Sequence, residues 1–278
     1  MEPKDRIIVA LDVPNLANAL PLVEQLAPEV GMFKVGSQLY TAEGPAVIKT
    51  IQERGGGIFL DLKYHDIPNT VAEASREAIK LGVQMFNVHC SGGIAMMQVA
   101  VKAAEETVAG AETMLASRPV ILGVTVLTSL DYATLYRMGF VTGFTTAEID
   151  EQARRRGGFW NKEAQEELER EHVRALVKTL AQLAKEAGLD GVVASPQEIR
   201  VIREACGPNF LIVTPGIRLA GAEQHDQARV GTPRGAIAAG ADYLVTGRPI
   251  LQAPDPVEAA KHIAEEITAA MAERKETP

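Results

Sequence analysis

"GIFLDLKYHDIPNTVAEASREAIKLGVQMFNVHC", residues 57–90, reads as strand, loop, helix and strand. "GIFLDLK" (57–63) is a short apolar run ending on charge, and "MFNVHC" (85–90) is a second such run. Between them "PNTVAEASREAIKLG" has helical spacing, with Pro68 suited to a first helical turn and Gly82 to its end. The unit recurs along the chain. Apolar, often β-branched runs stand at "RIIVALD" (6–12), "MFKVGSQL" (32–39), "PVILGVTVL" (119–127), "DGVVAS" (190–195), "FLIVTPGI" (210–217) and "DYLVTGRPI" (242–250), making eight in all. Alanine-rich helical stretches separate them, such as "TPRGAIAAG", with Thr232 as cap before Pro233. A last helix carries Val257, Ala260, Ile263, Ile267 and Met271 on one stripe. Strands this uniformly apolar have no wet face. Eight strand-then-helix units therefore predict an α/β protein, a (β/α)8 barrel in a single domain over residues 1–278.

Composition narrows the partners. With 278 residues, 46% hydrophobic and 23% charged, the chain buries a large core and is globular. A formal net charge of −8 argues against a nucleic-acid groove or an anionic membrane surface, so a phosphate contact falls to a few local residues. The expected partner is a small anionic metabolite. Cys90 and Cys206 are too few for a disulfide framework and lack zinc-site spacing; they read as small buried apolar residues. "MEPKDRIIVALD" meets an acid too soon to be a signal peptide or anchor, and no later run approaches spanning length, so the cytoplasm is the expected compartment.

Active sites of such barrels lie at the carboxyl ends of the strands, which directs attention to the polar residues there. Strand one ends on Asp12, strand two carries Lys34, strand three Asp61 and Lys63, strand four Asn87 and His89, and strand five runs into Thr128 and Ser129. Side chains alternate along a strand, so Asp61 and Lys63 share a face, and Asp66 follows in the loop before Pro68. One reading is a surface ion-pair cluster, worth little to stability. Against it, two acids and a base at the mouth of an apolar barrel are costly to desolvate without a task. Flanking carboxylates favour the charged form of Lys63, which suits a reaction that sheds a negative group and leaves a carbanion to be protonated. In the last third, "TPGIR" (214–218), "QHDQAR" (224–229) and "VTGRPI" (245–250) occupy the ends and loops of strands seven and eight, the habitual phosphate site of this barrel. There Gly247 admits close backbone approach and Arg248 supplies a fixed cation.

In order along residues 10–250, "ALD", "FKVG", "DLKYHDIPNT", "NVHCSGG", "VTVLTS", "TPGIR", "HDQAR" and "GRPI" resemble the orotidine 5'-phosphate decarboxylases of the bacterial kind. The resemblance implies a TIM barrel, a homodimer with sites near its interface, no metal or organic cofactor, and conversion of orotidine 5'-phosphate to UMP and CO2 in pyrimidine synthesis. It implies that Lys63 protonates C6, that Asp61 stands beside the departing CO2, and that Asp66 reaches the partner subunit's site. Asp12 and Lys34 then hold the ribose hydroxyls and tie the network together. Ile67, Pro68, Asn69 and Thr70 accompany Asp66 as substrate-binding residues. Thr128 lies near the pyrimidine edge, Gln227, Gly247 and Arg248 grip the phosphate, and Arg218 makes a further substrate contact. His65 and His89 belong to the motifs, His89 as a structural hydrogen-bonder, whereas His172, His225 and His262 show no ligand spacing.

Residues 138–172, rich in charge ("TTAEIDEQARRRGGFWNKEAQEELEREH", 145–172), exceed the length the resemblance leads one to expect. They read as an extra hairpin or helix after strand five: a solvated elaboration, or a lid or dimer contact anchored by Phe159 and Trp160. Three other functions compete. A metal-dependent sugar-phosphate decarboxylase or aldolase of the same barrel superfamily shares the acid, lysine, acid pattern, but looks to carry an acidic metal ligand where this chain has Lys34, and lacks "IPNT". A Schiff-base aldolase needs a neutral lysine, which two acids oppose. A nucleotide-binding regulator gains little from desolvating the cluster.

Overall fold

The computed structural model describes residues 1–110, 117–155, 160–218 and 231–276. Its strands are β1 (Ile7–Ala10), β2 (Met32–Gly36), β3 (Ile58–Tyr64), β4 (Met85–His89), β5 (Val120–Val124), β6 (Gly191–Val193), β7 (Leu211–Thr214) and β8 (Tyr243–Thr246). They pair in sequence order, all parallel, and β8 returns to β1 to close the barrel. Each of the eight apolar runs thus supplies one strand. The helices are α1 (Leu16–Leu26), α2 (Ser37–Glu43), α3 (Ala46–Gln52), α4 (Pro68–Lys80), α5 (Ile94–Ala109), α6 (Tyr132–Arg137), α7 (Thr146–Arg155), α8 (Lys162–Glu186), α9 (Ile199–Cys206), α10 (Pro233–Ala239), α11 (Arg248–Leu251) and α12 (Pro256–Glu276).

Alternation along the strands sorts two cores. Ile8, Ala10, Met32, Phe59, Met85, Leu122, Val213 and Val245 point inward and fill the barrel. Ile7, Val9, Phe33, Leu60, Phe86, Ile212 and Leu244 point outward and pack against the helices with Val71, Ile263 and Ile267. Both faces are apolar because both are covered. Gly191 is needed where β6 meets β7: a Cβ there would stand 2.2 Å from the Leu211 carbonyl oxygen. At the end away from the site, Arg118 holds Asp190 through two hydrogen bonds (2.7 and 2.8 Å), and the same carboxylate accepts from the Ile121 N–H.

Helix starts follow their local chemistry. Pro68 is the first residue of α4, and the Thr232 hydroxyl accepts from the Gly235 N–H at the start of α10. The long segment after β5 builds helices, with no hairpin among the described residues. Thr145 and Glu148 form a reciprocal cap at α7: the Thr145 N–H donates to Glu148 Oε2 (2.7 Å) and the Glu148 N–H to Thr145 Oγ1 (3.3 Å). Asn161 caps α8, accepting from the Ala164 N–H at 2.9 Å. The apolar anchor of the segment is an aromatic cluster: Phe144 packs against Tyr132, Trp160 and His172, and His172 also meets Glu148 at 3.1 Å. Trp160 therefore joins Phe144, while Phe159 lies outside the described residues. Cys90 and Cys206 are buried free thiols, and burial pushes the Cys90 thiol up to about 12.

Candidate active site

The inward faces that carry Met32, Phe59, Met85 and Val245 continue toward the strands' carboxyl ends, two residues at a time. The next inward positions are Lys34, Asp61, Asn87 and Gly247. The site is thus the polar top layer of the barrel's own core. Lys34 Nζ stands 3.1 Å from Asp12 Oδ1 and 3.3 Å from Asp61 Oδ2; Lys63 Nζ stands 2.7 Å from Asp61 Oδ1. Charges alternate, Asp12, Lys34, Asp61, Lys63. The Lys34 and Asp61 side chains are only 12% and 11% exposed, against 35% for Lys63, so the terminal ammonium is the one open to a ligand.

Burial alone would lower the pKa of Lys34, but Asp61 and Asp12 outweigh it and hold the ammonium above its ordinary 10.5. Burial likewise opposes ionisation of Asp61, yet Lys34, then Lys63, with the Lys63 and Asn87 hydrogen bonds, draw its carboxyl below the ordinary 3.8. Lys34 and Asp61 are therefore fixed in their charged states across neutral pH. His89 is pushed down by burial, then by His65 and Lys63, against the pull of Asp61; its ring lies 5.3 Å from that of His65. Its Nδ1 is buried without a hydrogen-bond partner among the described residues, so no hydrogen bond from that nitrogen supports the expected structural role.

A cavity of about 640 Å³ opens over this layer, lined by Asp12, Lys34, Asp61, Lys63, Thr128, Pro215, Arg218, Gly247 and Arg248, among others. Arg248 begins α11, and Arg218, nearly buried, donates from Nη1 to its neighbour's carbonyl, Ile217 O, at 2.8 Å. The expected residues of strands one to three, five, seven and eight thus meet around one space. Asp66, Ile67, Pro68, Asn69 and Thr70 do not: all are exposed, none lines the cavity, and Asp66 Oδ1 accepts the Ile67 N–H at 2.6 Å. The expectation that two acids flank Lys63 is corrected within one chain: among the described residues Asp61 is the acid that pairs with it, while Asp66 lies past the end of β3 in the loop that leads to α4 at Pro68. Gln227 and His225 lie outside the described residues.

Sequence reasoning gave no role to two residues that shape this layer. Gly36 lies opposite Asp61, and a Cβ there would come within 2.9 Å of Lys34 Nζ. Asn87, fully buried, donates from Nδ2 to Asp61 Oδ1 (2.6 Å) and accepts the Lys63 N–H at Oδ1 (2.8 Å). An amide inside the apolar run "MFNVH" is the signal that marks it.

Fold and site together define a closed parallel barrel with an ammonium–carboxylate centre at its carboxyl mouth and guanidinium groups on the same cavity wall. Within that class the chain belongs to the orotidine 5'-phosphate decarboxylase / HUMPS family, whose sequence model matches residues 5–160 and 158–263. It is 52% identical over 268 residues to the orotidine 5'-phosphate decarboxylase of Moorella thermoacetica, covering 96% of this chain and 94% of that one. It is 48% identical to that of Geotalea daltonii, with 96% and 98% covered. The crystal structure of orotidine 5'-phosphate decarboxylase from Lactobacillus acidophilus is similar at a TM-score of 0.69 and 33% identity, over 94% of this chain and 98% of that one. Among the described residues, no helix is long and apolar enough to cross a membrane, and no three His, Cys, Asp or Glu side chains gather as metal ligands.

Proposed function

We propose that this chain decarboxylates orotidine 5'-phosphate to UMP and CO2 without a cofactor. The observation that carries the reading is Lys63 Nζ, 2.7 Å from an Asp61 carboxylate held ionised, at the floor of a cavity that also presents Arg248. In this reading the substrate carboxylate lies against Asp61, and loss of CO2 relieves the repulsion between two negative groups. The electron pair left at C6 is stabilised by the Lys63 ammonium, which then delivers its proton there. Asp12 and Lys34 hold the ribose hydroxyls, and Thr128 meets the pyrimidine edge. Arg248, Gly247 and Gln227 hold the phosphate, and Arg218 makes a further contact with the substrate. Binding energy gathered at the phosphate and ribose offsets the cost of setting the two carboxylates side by side.

The exposed strip Asp66 to Thr70 belongs to a two-fold interface in this proposal, with Asp66 completing the partner subunit's site. The 67% exposure of Ile67, a large apolar side chain beside the cavity's own strand, supports it. Residues 138–172 are read as an elaboration of a single barrel domain.

The metal-dependent alternative needs a cation between acidic ligands. Here the Lys34 ammonium already occupies that place, between Asp12 and Asp61. The test offers the purified chain orotidine 5'-phosphate and, separately, 3-keto-gulonate phosphate with magnesium. Equimolar UMP and CO2 from the first supports the proposal; turnover of the second alone overturns it.

A further inference from the structure

β3 and β4 lose register at the site. Leu60 pairs with Phe86 and Tyr64 with Val88, so Asp61, Leu62 and Lys63 together stand opposite the single residue Asn87. A bulge of this kind interrupts the ladder and re-aims side chains. Here it carries Lys63 into the left-handed region (φ 52°), the one non-glycine residue there among those described. The bulge also takes the Lys63 N–H out of the regular ladder, and Asn87 Oδ1 accepts it at 2.8 Å. The other end of the same amide donates to Asp61 Oδ1 at 2.6 Å, the oxygen that accepts Lys63 Nζ. One rigid amide therefore fixes the carboxylate and the backbone of the lysine relative to each other. Asn87 itself does not line the cavity.

We propose that Asn87 is a positioning residue of the reaction, acting through Asp61 and Lys63 by holding the bulge that sets their geometry. The inference rests on the decarboxylase reading. Asn87→Ala removes both bonds at once and leaves Lys63 free to relax toward ordinary backbone angles. A misplacement of the reacting groups on the order of 1 Å costs about 100-fold in kcat. The phosphate end of the cavity is untouched, so KM and the affinity for UMP should change by less than about threefold.

Asn87→Asp gives a sharper readout because it is isosteric. Protonated, the new carboxyl donates to Asp61 and accepts from the Lys63 N–H, reproducing both bonds. Ionised, it opposes Asp61 across roughly a hydrogen-bond distance. The charged and titratable groups around it are Lys34 on β2, Asp61 and Lys63 on β3, Asp12 after β1, His89 on β4 and His65 in the next loop. Lys34 and Lys63 keep Asp61 ionised, so a shared proton resides on the new carboxyl. Turnover of Asn87→Asp, relative to that of the unsubstituted chain at the same pH, should therefore fall as pH rises through the neutral range and recover on acidification.

The experiment measures kcat, KM and UMP affinity for the three proteins against pH. In parallel, carboxyl carbon-13 NMR follows the titration of Asp61. The expected result is a kcat loss for Asn87→Ala with UMP affinity kept, an upward shift of the Asp61 midpoint in that variant, and acid rescue of Asn87→Asp. Unchanged kcat with an unshifted Asp61 midpoint, or an Asn87→Asp profile parallel to the unsubstituted chain, overturns the proposal. The NMR arm reads independently of turnover, so an unsubstituted chain inactive on orotidine 5'-phosphate would sink the decarboxylase reading separately.

Discussion

At the scale of single residues, the site concentrates conformational and electrostatic cost on Lys63 and Asp61. Lys63 holds φ 52°, where a side chain costs about 1 kcal/mol that glycine avoids. Lys63→Ala should abolish turnover while the protein still folds and binds UMP. Lys63→Gly, equally inactive, should unfold at higher denaturant than Lys63→Ala by about 1 kcal/mol; equal stabilities in urea titration would mean that the backbone there is unstrained. Asp61 sets the pH behaviour. Its folded pKa lies below the ordinary 3.8, so its ionisation contributes stability that is fully present above that value and is lost as pH falls through the lower folded one. Lys34 is the mirror case: raised above 10.5, it contributes below that value and loses its contribution as pH rises past its folded pKa. The stability difference between the unsubstituted chain and Asp61→Asn should be flat from weakly acidic to weakly basic pH and narrow only in acid below about 3.8. A difference that changes through neutral pH, followed by urea unfolding, would contradict the assignment.

At the scale of elements, the strands were legible because burial on both faces leaves uniformly apolar runs, and the first residues of α4 and α10 because Pro68, Thr232 and Pro233 have few other uses. The meeting of Asp61 and Lys63 was legible for a reason only partly right. Alternation puts both on one face, but the bulge opposite Asn87 and the left-handed turn at Lys63 set their actual geometry, and bulges leave no periodic trace. Asp66 reads as part of the same triplet because sequence proximity hides a change of direction at a strand's end. The segment after β5 was legible as a hairpin or a helix, but the packing of Tyr132, Phe144, Trp160 and His172 that binds its helices was not, since those contacts join residues up to 40 positions apart. Its helices rest on local caps, which supplies a test. Asn161→Ala removes the acceptor for the Ala164 N–H and should destabilise the protein by about 1 kcal/mol while leaving kcat unchanged. A large loss of turnover, with the fold intact by circular dichroism, would give this segment a part in catalysis.

At the scale of the whole molecule, the barrel brings ends of strands far apart in sequence to one mouth, while the strip from Asp66 to Thr70 is exposed and does not line the cavity there. If Asp66 serves the partner subunit's site, Lys63→Ala and Asp66→Asn are each nearly inactive alone but complement each other after subunit exchange. A mixed dimer collects both lesions in one site and none in the other. Equal mixing makes half the dimers mixed, so activity should return to roughly a quarter of the unsubstituted level. No recovery, with exchange verified by mass, would assign Asp66 to its own chain's site. The central claim is simpler: this charge network alone decarboxylates orotidine 5'-phosphate, with Lys63 as proton donor. Its most direct measurement follows the ultraviolet absorbance of orotidine 5'-phosphate after the chain has been dialysed against EDTA, alongside Lys63→Ala. The account predicts rapid loss of absorbance with the dialysed chain and none above background with the variant. Activity lost on dialysis and restored by magnesium, or retained by Lys63→Ala, would contradict it.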